Sequence, residues 1–470
     1  MKKFTKQMLP ALLVAISAFY LSHAQDYSWQ QPHAEVIGTG DLKWKPEPFE
    51  YPVKRGEEVR YIDYENGKDS NDGRSKNSAW KHHPWDTRAT DNAASESGVK
   101  SYVFKKGVTY RIYSEGGEAL LNADDSGEKN QPIRLTSDPN WGEGEAVIAG
   151  SRLIDKQWKR ANQNDVPKRM NPENIWYIDI EKPLSPQKQA PPSVRENYGM
   201  FSPGRRMAEV ILFEVSPEGE MTDLHIASDA GWHMTNPHFA LHHWNRWDGE
   251  KDMNNGSGKE DIQGYDEDLM GLDKDYFDGG TLWSQYGWII GTPAPYIIQP
   301  GDYDPEEGIL AHPNQAHPTH KHVRYLIENL PQFLDNPGEY YYDEDYNGSG
   351  RLFLRLPDDR NPNNSNIELA TAWNSIRIAN QNNIEISGLS FRFNGRKGAV
   401  IDLSENAGDI TVKNCTFEHL GSDAIYGRVE LDELMDNISV TDCDFYRING
   451  GSCIILQGNS GKVENKKKLG

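Results

Sequence analysis

Three stretches near the C-terminus, residues 383–391, 409–417 and 437–445, repeat one pattern, and it constrains the fold more than any other feature. Apolar and polar side chains alternate through Ile384 and Ile386, through Ile410 and Val412, and through Ile438 and Val440. The phase shifts at a two-residue turn, and alternation resumes at Leu389 and Phe391, Cys415 and Phe417, Cys443 and Phe445. Period-2 alternation marks a strand with one buried face. The leading isoleucines are spaced 26 and 28 residues apart. A strand pattern recurring at that interval is a stack of similar coils, none of which can bury its apolar face alone. The chain therefore reads as all-β, a right-handed parallel β-helix of few coils, with Ile384, Ile410 and Ile438 in one inward ladder.

The 470 residues suffice for two or three domains and a large core. Gly (42) and Pro (27) suit a turn-rich β protein, and 13 Trp and 22 Tyr provide flat rings of the kind that stack on pyranose faces. Residues 1–24 read as a secretory signal, with Lys2, Lys3 and Lys6 ahead of an apolar stretch and a plausible cleavage site after Ala24. Removing them takes the net charge from −21 to −24. That acidity argues against nucleic acid as a partner and fits poorly with a polyanionic substrate unless a basic groove or bound cation offsets it. No later stretch is apolar enough to span a membrane. The predicted location is secreted or periplasmic, and the predicted state a monomer. Cys415 and Cys443 share one register, so they should stack as parallel free thiols; Cys453 leaves the count odd.

Residues 25–150 read as an extended leader followed by opening coils. The turn-rich run 69–73 precedes short strands near Tyr102, Tyr110, Ile133 and Ile148. Residues 151–365 break the rhythm with Trp, Tyr, His and Asp and form an inserted, mostly-β module. Coils resume over 366–461. An irregular tail follows at 462–470, where Asn465 and three lysines stand in place of an apolar cap, as in a truncated longer β-helix. The loop around Asp69 to Gly73, the strand ending Gly107 to Arg111 and the strand at Pro132 to Leu135 resemble the opening coils of secreted β-helix proteins of the pectate-lyase-like superfamily. The runs around Glu328-Asn329 and Leu334-Asp335-Asn336-Pro337-Gly338-Glu339 resemble the inserted β-sandwich of some β-helix glycoside hydrolases. This resemblance implies a carbohydrate-active protein.

Outward positions of successive coils stack into ladders: Glu385/Thr411/Ser439, Ser390/Thr416/Asp444 and Arg392/Glu418/Tyr446, with Phe393, His419 and Arg447 at the following corner and Asp423 just beyond. Glu418, Asp423, His419 and Asp444 are the candidate catalytic residues. Arg447 and Arg392, with Trp232, Trp244 and Trp247 of the insert, are the candidate substrate-binding residues. Sugar hydrolysis needs two carboxylates flanking the bond, whereas a lyase needs a base and a cation beside the acidic sugar. Glycoside hydrolase on a polysaccharide or oligosaccharide is the leading reading. The alternatives are a polysaccharide lyase and a non-catalytic glycan-binding surface protein. A groove between the insert and the corner should hold the saccharide. The insert carries nine of the 14 His, among them His225, His238 and His242, without the glutamate that zinc-protease chemistry needs. No cofactor is called for. Ca²⁺ is only weakly indicated, by the 69–73 loop and the acidic 266–278 stretch, and the first reads better as a turn closed by its own side chains.

Overall fold

The computed structural model describes residues 34–36, 42–44, 49–98, 101–112, 121–155, 157–180, 211–229, 245–252, 262–284, 294–311, 323–347, 349–370, 372–395, 398–429, 434–449 and 452–458. The chain divides into two compact units, Met1–Glu50 and Tyr51–Gly470. In the first, Ala34–Val36 and Leu42–Trp44 form an antiparallel pair. No helix among the described residues is long and apolar enough to cross a membrane.

The larger unit contains the right-handed parallel β-helix. Its three faces are parallel sheets. Face A stacks Val59–Ile62, Ser101–Phe104, Ile133–Ser137, Asn382–Ser387, Gly408–Lys413 and Asp436–Thr441. Face B stacks Val108–Arg111, Ala146–Ala149, Ser390–Arg392, Thr416–Leu420 and Asp444–Ile448. Face C stacks Leu121–Ala123, Ile376–Ala379, Ala399–Ser404, Asp423–Val429 and Ile454–Gly458.

Inward ladders follow the sequence pattern. Ile133, Ile384, Ile410 and Ile438 are direct cross-strand partners. Phe391, Phe417 and Phe445 stack face to face at 4.9 and 5.1 Å, close to the roughly 4.8 Å between neighbouring strands. The turn between faces A and B places Gly388, Asn414 and Asp442 at φ of 61°, 49° and 52°. These are the residue types that tolerate left-handed backbone, which is why the pattern breaks there. Cys415 and Cys443 follow that turn as free thiols, aligned rather than bridged. The loop at Asp69 is closed from within: its carboxylate accepts from the N–H of Lys81 and His82, from His82 Nδ1 and from Thr90.

The excursion begins and ends at the corner between faces B and C. Gly150 N–H donates to Arg392 O, and Ala372 N–H donates to Gly150 O at 3.1 Å. Between these points, Ser151–Leu153, Asn366–Ala370, Ile211–Val215 and Met221–Asp223 form one antiparallel sheet. A second sheet, of Lys159–Arg160, Trp176–Ile180, Ser349–Arg355, Glu339–Tyr346 and His225–Ile226, shares a buried core with the first through Leu212, Ile367 and Leu369 against Ile178, Tyr340, Leu352 and Leu354. Two further four-stranded sheets enclose a separate core around Trp247, Leu282, Tyr325 and Ile327. Buried Glu368, held by Arg111 and Ser151, ties the base of the insert to face B.

Candidate functional site

At the B/C corner three consecutive coils place Phe393, His419 and Arg447 at φ of 54°, 54° and 52°. Left-handed backbone at a bulky residue costs on the order of 1–3 kcal/mol and persists only where its surroundings impose it. Here the same conformation recurs coil after coil, and Phe393 N–H donates to His419 O of the next coil at 3.0 Å, so the corner of the solenoid imposes it. The insert packs against this corner. Phe213 packs on Phe393 with ring centroids 5.1 Å apart, and any side chain at Gly421 would collide with Ile211. Asp223, on an insert strand, reaches two successive coils. His419 Nδ1 donates to its Oδ1 at 2.6 Å, Asn449 Nδ2 donates to Oδ2 at 3.3 Å, and the Arg447 guanidinium lies 3.7 Å from Oδ2.

Above this contact is a cavity of about 380 Å³, within the size range of small-ligand sites, roughly 300–1,000 Å³. Gly421 and Asn449 form its β-helix wall. Ile211, Phe213, Leu224 and Ile226 supply apolar surface, and Trp283 and Tyr340 supply rings. Among the described lining residues, Asp223 and Glu328 are the carboxylates and His225 is the imidazole. Strand alternation explains the placement: Leu326 and Glu328 of Arg324–Glu328 face the cavity, whereas Tyr325 and Ile327 enter the insert core. Asp223 stands opposite Phe213 in register. Both carboxylates are buried, 7% and 5% exposed. Behind the wall Glu339, in register with His225, is fully buried; burial pushes its carboxyl up to about 9. Asp229, next to Ser228 of the lining, is pushed up to about 7 by burial while accepting from Ile327 N–H and Asn245.

The sequence-derived candidates distribute unevenly around this cavity. His419 and Arg447 reach it through Asp223. Glu418 and Arg392 point outward on face B, where Arg392 bridges Glu418 (Nε to Oε1 2.6 Å) and Glu145. Asp423 is buried at the corner and accepts from Ser452 N–H at 3.0 Å. Asp444 is exposed on face B opposite Thr416. Trp247 is not a sugar-facing ring: it is 1% exposed, stacks on Tyr325 at 3.8 Å, donates Nε1 to Ser284 and is backed by Gly264. Trp232, Trp244 and eight of the nine insert histidines lie outside the described residues. Among the described residues no three His, Cys, Asp or Glu side chains are grouped as a metal cage. Asp266 of the acidic stretch accepts from Tyr325 at 2.6 Å. Asp223 escaped sequence reading because it sits on a three-residue strand whose pairing is tertiary, and Glu328 is legible only within a run that carries a family resemblance, not as a site residue.

The family described as "Right handed beta helix region" matches residues 374–468. Among solved structures, one described as "Glycoside hydrolase" superposes with a TM-score of 0.50 at 15% identity, covering 79% of this chain and 65% of that chain. A second, "The complex structure of XylC with xylose", gives a TM-score of 0.37 at 9% identity, covering 82% and 54%. The chain thus spans less than two thirds of the length of either. No curated protein sequence matches. The family match and the first of these structures agree with the right-handed β-helix built above.

Proposed function

We propose that the protein is a secreted or periplasmic carbohydrate-active enzyme, a glycoside hydrolase whose saccharide enters the cavity between the insert and the β-helix corner. The observation that carries this reading is the pair Asp223 and Glu328, two buried carboxylates lining one ring-walled cavity of about 380 Å³. Glycoside hydrolysis needs one carboxyl group to protonate the leaving oxygen and a second to attack the anomeric carbon or activate water. Asp223 accepts on both oxygens, which suits it to the base or nucleophile, and the acid role is assigned to Glu328 as the second lining carboxyl. Trp283, half-buried at the cavity, offers a ring to the apolar face of a sugar.

Two acids among the described lining residues, and no Lys or Arg, favour hydrolysis over elimination from an acidic sugar, which needs a cation at the sugar carboxylate. The test is a screen of purified protein against plant and algal polysaccharides and their oligosaccharides. New reducing ends without an unsaturated, ultraviolet-absorbing product support the reading. An unsaturated product would replace it with a lyase, and binding without turnover would replace it with a glycan-binding protein.

A further inference from the structure

Asp223 is supplied by the insert, yet among the described residues the side chains that donate to its carboxylate come from the β-helix: His419 from one coil and Asn449 from the next, with Arg447 nearby. His419 itself does not line the cavity. It is 3% exposed, lies between Phe393 and Tyr446 at 6.5 and 5.8 Å, and holds left-handed backbone. The carboxylate can only accept, so Nδ1 of His419 carries the proton and fixes the direction of Oδ1. The left-handed backbone is shared with Phe393 and Arg447 at the same corner. What sets His419 apart is its 2.6 Å bond to a cavity carboxylate, made in a site sequestered from solvent, and a ring needed only for packing would not require such a bond.

The geometry points to His419 as a positioning residue that orients Asp223 for the reaction, so that the reactive constellation exists only where the β-helix corner and the insert are docked. This rests on the glycoside-hydrolase reading of Asp223. Outer hydrogen-bond partners of metal ligands fix the orientation of the group that does the chemistry, and their loss typically costs about 10–100-fold; a carboxylate positioned in the same way should respond on the same order. The effect falls on kcat, because Trp283 and the apolar walls that hold the sugar are untouched.

The test compares His419→Ala and His419→Asn in the full chain, with Asp223→Asn as the control. The Asn amide nitrogen stands where Nδ1 stands, and Asn tolerates left-handed backbone. His419→Ala should lower kcat about 10–100-fold with KM nearly unchanged, and His419→Asn should recover most of the loss. Undiminished kcat in His419→Ala, or no recovery in an equally stable His419→Asn, overturns the inference while leaving the enzyme reading intact if Asp223→Asn is inactive. Full activity in Asp223→Asn overturns the reading itself. A thermal-denaturation cycle of Asp223→Ala, His419→Ala and their double variant applies even without turnover. Coupled Tm shifts are expected, and additive shifts would show that the two side chains do not act together.

Discussion

Ser387 Oγ donates to Thr136 Oγ1 at 3.1 Å inside face A, although 251 residues of chain separate them. The β-helix therefore runs unbroken beneath the insert, whose two ends meet at Gly150 and Ala372. Replacing residues 151–371 by a short linker should leave a β-rich, cooperatively unfolding protein with a lowered Tm, since Phe393 and Ala149 lose their cover of Ile211 and Phe213. It should also abolish the cavity chemistry. Circular dichroism with thermal unfolding checks the first, and saccharide turnover the second. Loss of the β signal would show that the coils depend on the insert to fold.

The phenylalanine stack is the mechanical axis of face B. Phe417 is fully buried and packed on both sides, by Phe391 and Phe445. Phe417→Ala should destabilise the protein by about 3–5 kcal/mol, the range for truncating a core aromatic. Denaturant unfolding gives the value, and a loss below 1 kcal/mol, roughly the level of a surface substitution, would contradict the packing described.

Above about pH 5, where the ion-paired carboxylates such as Asp63 and Asp359 are already ionised in both states, three buried carboxyls should make stability fall as pH rises. Burial pushes Glu339 up to about 9 from an ordinary value of 4.5, Asp229 up to about 7 and Asp402 up to about 6 from 3.8. Within each window the folded chain holds a proton that the unfolded chain has released, so the slope is negative, at most about 1.4 kcal/mol per pH unit per group. The contribution is complete below the unfolded values and is lost by the folded ones, near pH 9 for Glu339. Glu339→Gln mimics the protonated form and should flatten the profile between about pH 5 and 9. Urea midpoints across that range decide it; an unchanged slope would mean that Glu339 ionises in the folded protein.

The coils were legible in the sequence and the cavity was only half so. Ile384, Ile410 and Ile438 repeat because a solenoid imposes one local environment on every coil, and local pattern reports that environment directly. The corner residues His419 and Arg447 were legible for the same reason. Their partner Asp223 was not: it lies 196 residues from His419, on a three-residue strand too short to carry a period. Glu328 was visible only as part of a resemblance. Trp247 shows the ambiguity of aromatics, since a ring sandwiched between Tyr325 and Gly264 and a ring facing a sugar have the same sequence signature.

Glu418 separates the two accounts of where chemistry occurs. Its carboxylate serves Arg392 on the outer surface of face B, so Glu418→Ala should leave turnover unchanged and cost little more than a partly exposed ion pair, about 1 kcal/mol or less. A large loss of kcat in this variant would move the site onto the outward ladder.

The most direct measurement is the rate of reducing-end release from a responsive saccharide by the unaltered protein, Asp223→Asn and Glu328→Gln, each with its Tm. The account predicts hydrolysis by the unaltered protein and a fall in kcat of about 10²–10⁴-fold in each variant, at near-unchanged Tm. Equal rates in all three proteins, or an unsaturated product in place of a hydrolysed one, would contradict it.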